Sequence, residues 1–382
     1  MNRSRFPCAR QVPALPLLLL LSFASGAAAF DTFRSDGRVV AIGDLHGDYE
    51  RLLEVLRAAA LIDGNLNWAG GRTHLVQTGD IPDRGSQTRK IFDLLLKLEE
   101  QAANAGGRIH ALIGNHETMN LYGDLQYVSP GEYEEFRDSR SQEVRNRFYE
   151  QALQEFRGQR AEKAALETFR ARWEEEHPLG YFEHRQAYGP TGRYGKWIRE
   201  HAAMVVVDDT LFLHGGISPK YADIPGPMID ERIRAELEDF TKLRGGIVQD
   251  AEGPLWYRGL AYEHESQLRA HVDNVLRLYG VKRVVVGHTP TLTAVLPRFG
   301  GKVILIDVGL SEFYGGPPAC LLIENGVAYA LHRGKKLRIP NGPRPAVIEY
   351  LNSAAALDPP PSPILKLIRQ LDRERPRVDQ TR

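Results

Sequence analysis

Cysteine is nearly absent from this 382-residue chain, which has two, and an excess of charge of either sign is absent, since 49 lysines and arginines balance 49 aspartates and glutamates. So few cysteines exclude a disulfide framework as the source of stability. Balanced charge excludes global steering toward nucleic acid or an anionic membrane, so partners have to be argued from sites. The chain also lacks internal repeats and a phosphate-cradling P-loop. No apolar run reaches the ~20 residues that a membrane-spanning helix needs.

The chain does have 42% hydrophobic residues, enough for a full core, and a length at the upper end of one α/β domain. Its first residues differ from the rest. Arg3, Arg5 and Arg10 precede a leucine-rich run from Leu15 to Phe23, and Ala27-Ala28-Ala29 follow. That order predicts a signal peptide over residues 1–29, cleaved after Ala29, and an exported protein, periplasmic or secreted, with no stable membrane anchor afterwards. Cleavage removes three arginines and no acid, so the mature chain is mildly acidic, and it removes Cys8, leaving Cys320 alone.

Short β-branched runs that stop at glycine and polar residues recur at Val39 to Ile42, His74 to Gln77, Ile109 to Ile113, Leu211 to Leu213 and Val284 to Val286, with a further strand at Val303 to Ile306. They predict buried strands feeding loops. Helical patterns lie between the first three, through Leu52, Leu53, Val55 and Leu56 and then Ile91, Leu94, Leu95 and Leu98. This alternation predicts an α/β fold. A catalytic domain over 30–333 is interrupted at 131–178 by a glutamate- and arginine-rich stretch that reads as a helical hairpin broken near Gly158, a solvated cap in preference to a substrate gate. Residues 334–382 read as a basic, proline-rich extension with one short helix around Ile364 to Leu371.

Five strand ends carry polar groups beside glycine: Gly43-Asp44-Leu45-His46-Gly47, Gly79-Asp80 through Asp83-Arg84-Gly85, Gly114-Asn115-His116-Glu117, His214-Gly215-Gly216 and Gly287-His288-Thr289. Ligands of open α/β sheets gather at the carboxyl ends of strands, and glycine permits close backbone approach. A set of carboxylate, amide and imidazole donors without thiolate suits manganese, iron or zinc, and two such ions clamp a phosphoryl transfer and activate a hydroxide. That chemistry needs a shared carboxylate, and Asp80 is the natural bridge. A lone strand-end aspartate such as Asp307 reads as a turn residue. The eight histidines outside these motifs read as ordinary hydrogen-bonding side chains, and Trp256 and Tyr257 as packing beneath the site.

With those motifs in that order, the chain resembles the phosphoprotein phosphatase family of calcineurin-like metallophosphatases over roughly Val39 to Gly316. Within it, Met119-Asn120-Leu121-Tyr122-Gly123-Asp124, Tyr194-Gly195-Lys196-Trp197, Gly215-Gly216-Ile217-Ser218-Pro219 and Gly253-Pro254-Leu255-Trp256-Tyr257-Arg258 are similar to the Shewanella-like phosphatases. The resemblance implies two central mixed β-sheets packed as a sandwich and flanked by helices. It implies two divalent metal ions, one held by Asp44, His46 and Asp80, the other by Asp80, Asn115, His214 and His288. His116 would protonate the leaving oxygen, oriented by Asp83, and Arg84 would grip the phosphate.

The family's usual second phosphate arginine has no counterpart motif, so Arg258 is taken as its substitute, and Gly309-Leu310-Ser311-Glu312 stands where the family has a toxin-contacting loop. The expected activity is phosphomonoester hydrolysis of phosphorylated protein or peptide, and the subgroup resemblance implies a lean toward phosphotyrosine. The alternatives are a nucleotide or dinucleoside polyphosphate hydrolase and a catalytically silent metal-binding scaffold.

Overall fold

The computed structural model describes residues 32–157 and 163–373, so the leader at 1–29 and the break near Gly158 lie outside the described residues. Among the described residues twelve strands run in chain order: β1 (Thr32–Phe33), β2 (Arg38–Ile42), β3 (His74–Gln77), β4 (Arg108–Ala111), β5 (Met204–Val207), β6 (Thr210–Leu213), β7 (Arg283–Val286), β8 (Leu296–Arg298), β9 (Val303–Leu305), β10 (Ala319–Glu324), β11 (Val327–His332) and β12 (Lys335–Arg338). They build two six-stranded mixed sheets, ordered β1-β5-β6-β7-β9-β8 and β12-β11-β10-β2-β3-β4. The parallel trios are β2, β3, β4 in one sheet and β6, β7, β9 in the other. Every residue of β3 and β6 is buried, as strands covered on both faces require.

Helix α1 (Tyr49–Ala58) starts at Asp48, whose Oδ1 accepts from the Arg51 amide at 3.0 Å, and buries Leu52, Leu53, Val55 and Leu56. Helix α2 (Thr88–Asn104) buries Ile91, Phe92, Leu94, Leu95 and Leu98 on one face. Helix α3 (Asn115–Tyr122) follows β4 directly from Gly114.

The charged insertion is helical as expected, and richer than a hairpin. Its described residues form α4 (Pro130–Phe136), α5 (Ser141–Arg157) and α6 (Lys163–Glu176), and α7 (Tyr181–Tyr188) follows it. The long pair α5 and α6 meets through Phe156 on Phe169, centroids 4.3 Å apart, and Tyr149 on Trp173, 5.3 Å apart. The inner pair α4 and α7 is joined to the domain through Tyr188, whose ring lies edge-on to Phe92 of α2 at 6.0 Å and 6.4 Å from Phe136.

From Gly334 to Arg373 the chain is more ordered than its composition suggested. β12 adds a sixth strand beside β11, and two helices, Arg344–Ala355 and Ile364–Arg373, pack on the domain. Leu351 and Ile364 are fully buried, the Tyr350 hydroxyl donates to the Val295 carbonyl at 2.7 Å, and Asp358 accepts from His332 at 2.9 Å and Arg333 at 2.7 Å. The prolines shape a turn between packed helices in place of a linker. Among the described residues no helix is long and apolar enough to cross a membrane.

Candidate metal centre

The carboxyl ends of the two parallel trios face one another, and glycine makes the approach possible. A Cβ on Gly287 would meet Asp44 Oδ1 at 2.6 Å, and one on Gly114 would meet Asp80 Oδ1 at 2.4 Å. Asp44, His46, Asp80, Asn115, His214 and His288 are all 3% exposed or less, and they converge there with their polar atoms toward a common centre.

Three histidines reveal which ring nitrogen carries the proton, because a carbonyl oxygen only accepts. Nδ1 of His46 lies 3.2 Å from the Pro82 carbonyl, Nδ1 of His214 2.8 Å from that of Thr78, and Nε2 of His288 3.1 Å from that of Trp256. Each ring donates that proton outward and turns its bare lone pair inward. His214 Nε2 then faces Asn115 Oδ1 at 2.9 Å and Asp80 Oδ1 at 3.2 Å, three acceptors with no hydrogen among them. On the other side His46 Nε2 faces Asp80 Oδ2 at 3.8 Å and Asp44 Oδ2 at 3.9 Å. Acceptors crowded in this way, without a thiolate, fit hard or borderline divalent cations.

Electrostatics agree. Burial, together with the like charges of Asp307 and Asp80, holds the Asp44 carboxyl well above its usual range. Burial works the same way on Asp80, but His214, His116 and His46 outweigh it and keep that carboxyl well below. His46 is pushed down to about 3, chiefly by burial, and burial with His214 and Arg258 also drives His288 down. Neutral imidazoles are what a cation requires. The ligand atoms fall into two groups, each with its atoms within 4.8 Å of one another, one from His46, Asp80 and His116, the other from Asp80, His214 and His288.

His116 differs from the others. Its Nδ1 is hydrogen-bonded to Asp83 Oδ2, whose other oxygen accepts from Asn120 Nδ2 at 2.9 Å. Burial opposes its positive charge, yet Asp80 and Asp83 prevail and raise its pKa. An imidazole that keeps its proton is a proton donor before it is a metal ligand. Arg84 stacks on the Tyr127 ring at 3.9 Å and on Phe313 at 5.2 Å, and its buried Nε has no partner among the described residues. A guanidinium held over aromatic rings keeps its donors free for an anion. Arg258 donates through Nη1 to the carbonyl of His288 at 2.6 Å and to Thr289 Oγ1 at 3.3 Å, so it steadies the loop that carries a ligand.

Two acids of the site escape a sequence reading. Glu117, 1% exposed, accepts the amides of Asp80 at 2.8 Å, Ile81 at 2.7 Å and Gly114 at 2.7 Å, thereby tying the β3 turn to the start of α3. Its position three residues after the helix cap Gly114 was the available signal. Asp307 does serve the turn expected of it, accepting from the Gly309 amide at 2.8 Å, but it also joins the carboxylate cluster beside Asp44, and burial raises it to about 6.

Of the eight other histidines, seven make ordinary hydrogen bonds, such as His74 to His110 at 3.0 Å and His271 to the Ile217 carbonyl at 2.7 Å. His184 is fully buried with neither ring nitrogen bonded. Trp256 packs edge-on to His288 with centroids 5.9 Å apart.

The sequence pattern of the calcineurin-like phosphoesterases matches residues 37–292. The chain belongs to that family. As a calcineurin-like phosphoesterase it is 32% identical to an uncharacterized protein of Schizosaccharomyces pombe, over 79% of this chain and 82% of the relative. It is also 32% identical to Shewanella-like protein phosphatase 2 of Arabidopsis thaliana, over 73% of each chain. Among solved structures, a cold-active protein-tyrosine phosphatase of a psychrophilic Shewanella species is 30% identical, with a TM-score of 0.62, over 81% of this chain and 82% of that one. This phosphoesterase is therefore a metal-dependent phosphatase.

Proposed function

We propose that this phosphatase is an exported phosphomonoester hydrolase that holds two divalent cations and acts on phosphorylated protein or peptide, with phosphotyrosine preferred. The observation that carries the reading is Asp80, whose Oδ1 faces His214 at 3.2 Å while Oδ2 faces His46 at 3.8 Å. One carboxylate thus serves two ligand sets, completed by Asp44 and His46 on one side and by Asn115, His214 and His288 on the other. Manganese suits these donors, as do iron and zinc.

When bound, such cations supply a water of lowered pKa and neutralise charge on the phosphoryl oxygens. The chain's own groups do the rest. Arg84 grips the phosphate by its fork, while Arg258, bonded to the His288 carbonyl, holds the loop that carries that ligand and brings a second positive charge near the site. His116 gives a proton to the leaving oxygen, and Asp83 keeps the ring aimed and charged until that transfer. Phosphotyrosine is favoured by the Shewanella structure, named for that activity, and by the Tyr127 and Phe313 rings beside Arg84, against which an aryl group can stack. Export rests on the basic, leucine-rich, alanine-terminated leader.

The test strips the mature protein with chelator, restores manganese, and compares phosphotyrosine, phosphoserine and phosphothreonine peptides with diadenosine tetraphosphate. Phosphotyrosine peptide should turn over fastest, and a faster dinucleotide would overturn the reading. His116→Asn should lower turnover by ~10²–10⁴-fold.

A further inference from the structure

The residues that carry the acid and the phosphate grip sit on an improbable backbone. Asp83 has φ 73° and Arg84 φ 68°, two successive side-chain-bearing residues in the left-handed region. Such a turn persists only where its surroundings hold it. Here one short segment does so, residue by residue. Glu132 Oε2 accepts from the Asp83 amide at 3.1 Å, the Tyr127 carbonyl accepts from the Arg84 amide at 3.0 Å, and Ser129 Oγ donates to the Gly85 carbonyl at 2.7 Å. Ser129 in turn caps α4, accepting the Glu132 amide at 3.1 Å.

Glu132 belongs to the charged insertion, on its first helix, and is fully buried. Packing alone does not call for a carboxyl there, because burying one is costly unless its oxygens are used. One oxygen, Oε2, is spent on the Asp83 amide, while Oε1 makes no hydrogen bond among the described residues and lies 3.7 Å from Nε2 of the buried His184 on α7. The rings of Tyr133, Phe136 and Tyr188 surround His184 at 5.3, 4.9 and 4.6 Å and hold it against Glu132. The direction in which Asp83 points its carboxylate at His116 depends on its backbone dihedrals, so the acceptor that pins its amide also aims the proton donor.

We infer that Glu132 is a positioning residue for the His116–Asp83 acid, which makes the insertion part of the catalytic apparatus and not a cover over it. The inference rests on His116 being the general acid. A misaimed acid hurts most where the leaving group is poor, since a good leaving group departs without a proton.

The experiment uses the full mature chain loaded with manganese and a series of aryl phosphates, from 2,4-dinitrophenyl to phenyl phosphate. Glu132→Ala should lower kcat on phenyl phosphate ~10-fold more than on the dinitrophenyl ester, with KM changed less than about twofold. Glu132→Gln keeps an oxygen for the Asp83 amide and can donate its NH₂ to His184, so it should return to within about threefold of the parent. A loss equal across all leaving groups, no loss at all in folded Glu132→Ala, or a Gln variant as poor as Ala each overturns the inference. If the alanine variant does not fold, Glu132→Asp, one methylene short of the amide, takes its place under the same outcomes. His116→Asn runs alongside. A flat leaving-group response in that variant overturns the general-acid reading and this inference with it, whereas a steep response there and a flat one in Glu132→Ala overturns this inference alone.

Discussion

Replacing Glu117 with alanine tests whether the site is built by buried acids behind the ligands. The side chain is 1% exposed and satisfies three buried amides, those of Asp80, Ile81 and Gly114, at 2.7–2.8 Å. Each buried donor left without a partner costs about 1–3 kcal/mol, and water entering the vacated space recovers part of that. Glu117→Ala should therefore destabilise the metal-free protein by roughly 3–5 kcal/mol. Glu117→Gln keeps an oxygen where Oε2 stood, for Asp80 and Gly114, and sets its NH₂ against the Ile81 amide, at a cost of about 1–3 kcal/mol. Urea unfolding has to be done in chelator, because ions that bind only the folded state add ~4 kcal/mol at a thousandfold excess over Kd and would mask the difference. The same turn carries Asp80, so manganese affinity measured by calorimetry should fall ~10–100-fold. An alanine variant within ~0.5 kcal/mol of the parent, binding manganese equally well, would refute the reasoning.

Three further outcomes follow from the same geometry. Burial and Asp80 raise Glu117, ordinarily near 4.5, to about 7. The folded state thus keeps a proton that the unfolded chain releases, and that stabilisation is lost as pH rises through 7. The stability gap between the metal-free parent and Glu117→Gln should narrow from pH 5 to pH 8, and a widening gap in the same urea series contradicts the shift. Arg84→Ala should lower kcat/KM ~10²–10³-fold, and Arg84→Lys should restore little of it, because a lysine has no planar fork to stack on Tyr127 and grip the phosphate; steady-state kinetics on an aryl phosphate checks both. Asp358→Ala removes the shared partner of His332, Arg333 and Ser362 and should cost about 2–3 kcal/mol in urea while leaving kcat unchanged, and lost turnover would show that the tail reaches the site.

What could be read from the sequence was local. Each ligand stands within four residues of a buried apolar run and beside a glycine, so strand and turn are encoded in the same short stretch, and β3 begins and ends where its pattern does. The C-terminal region was harder to read. The prolines at 359–361 and 363 suggested an extension, yet Arg344–Ala355 buries Leu351 and Ala354 against a core supplied by residues far away in the sequence. The β10–β11 hairpin carried a local signal in Asn325-Gly326, both with positive φ, the turn that joins antiparallel strands in two residues. Glu117 carried a local signal only for the Gly114 amide three residues before it, and Glu132 none for its partner at the site, because the other amides they hold lie 36 to 49 residues away.

That difference explains the division of labour at the centre. His46, Asp80, Asp83, Arg84 and His288 all adopt positive φ, between 45° and 73°. Left-handed backbone costs a residue with a Cβ roughly 1–2 kcal/mol, so this constellation is strained by several kcal/mol before any ion or substrate arrives. Glycine at these positions would relieve the strain and remove the chemistry. The strain is instead offset from outside the motifs, by Glu117 across the Asp80 turn and by Glu132, Tyr127 and Ser129 across the Asp83–Gly85 turn. The motifs therefore identify the reacting groups, while their aim is set by residues whose importance appears only once the chain has folded. Among those, Glu132 stands on the insertion, the segment whose composition most resembles a solvated surface.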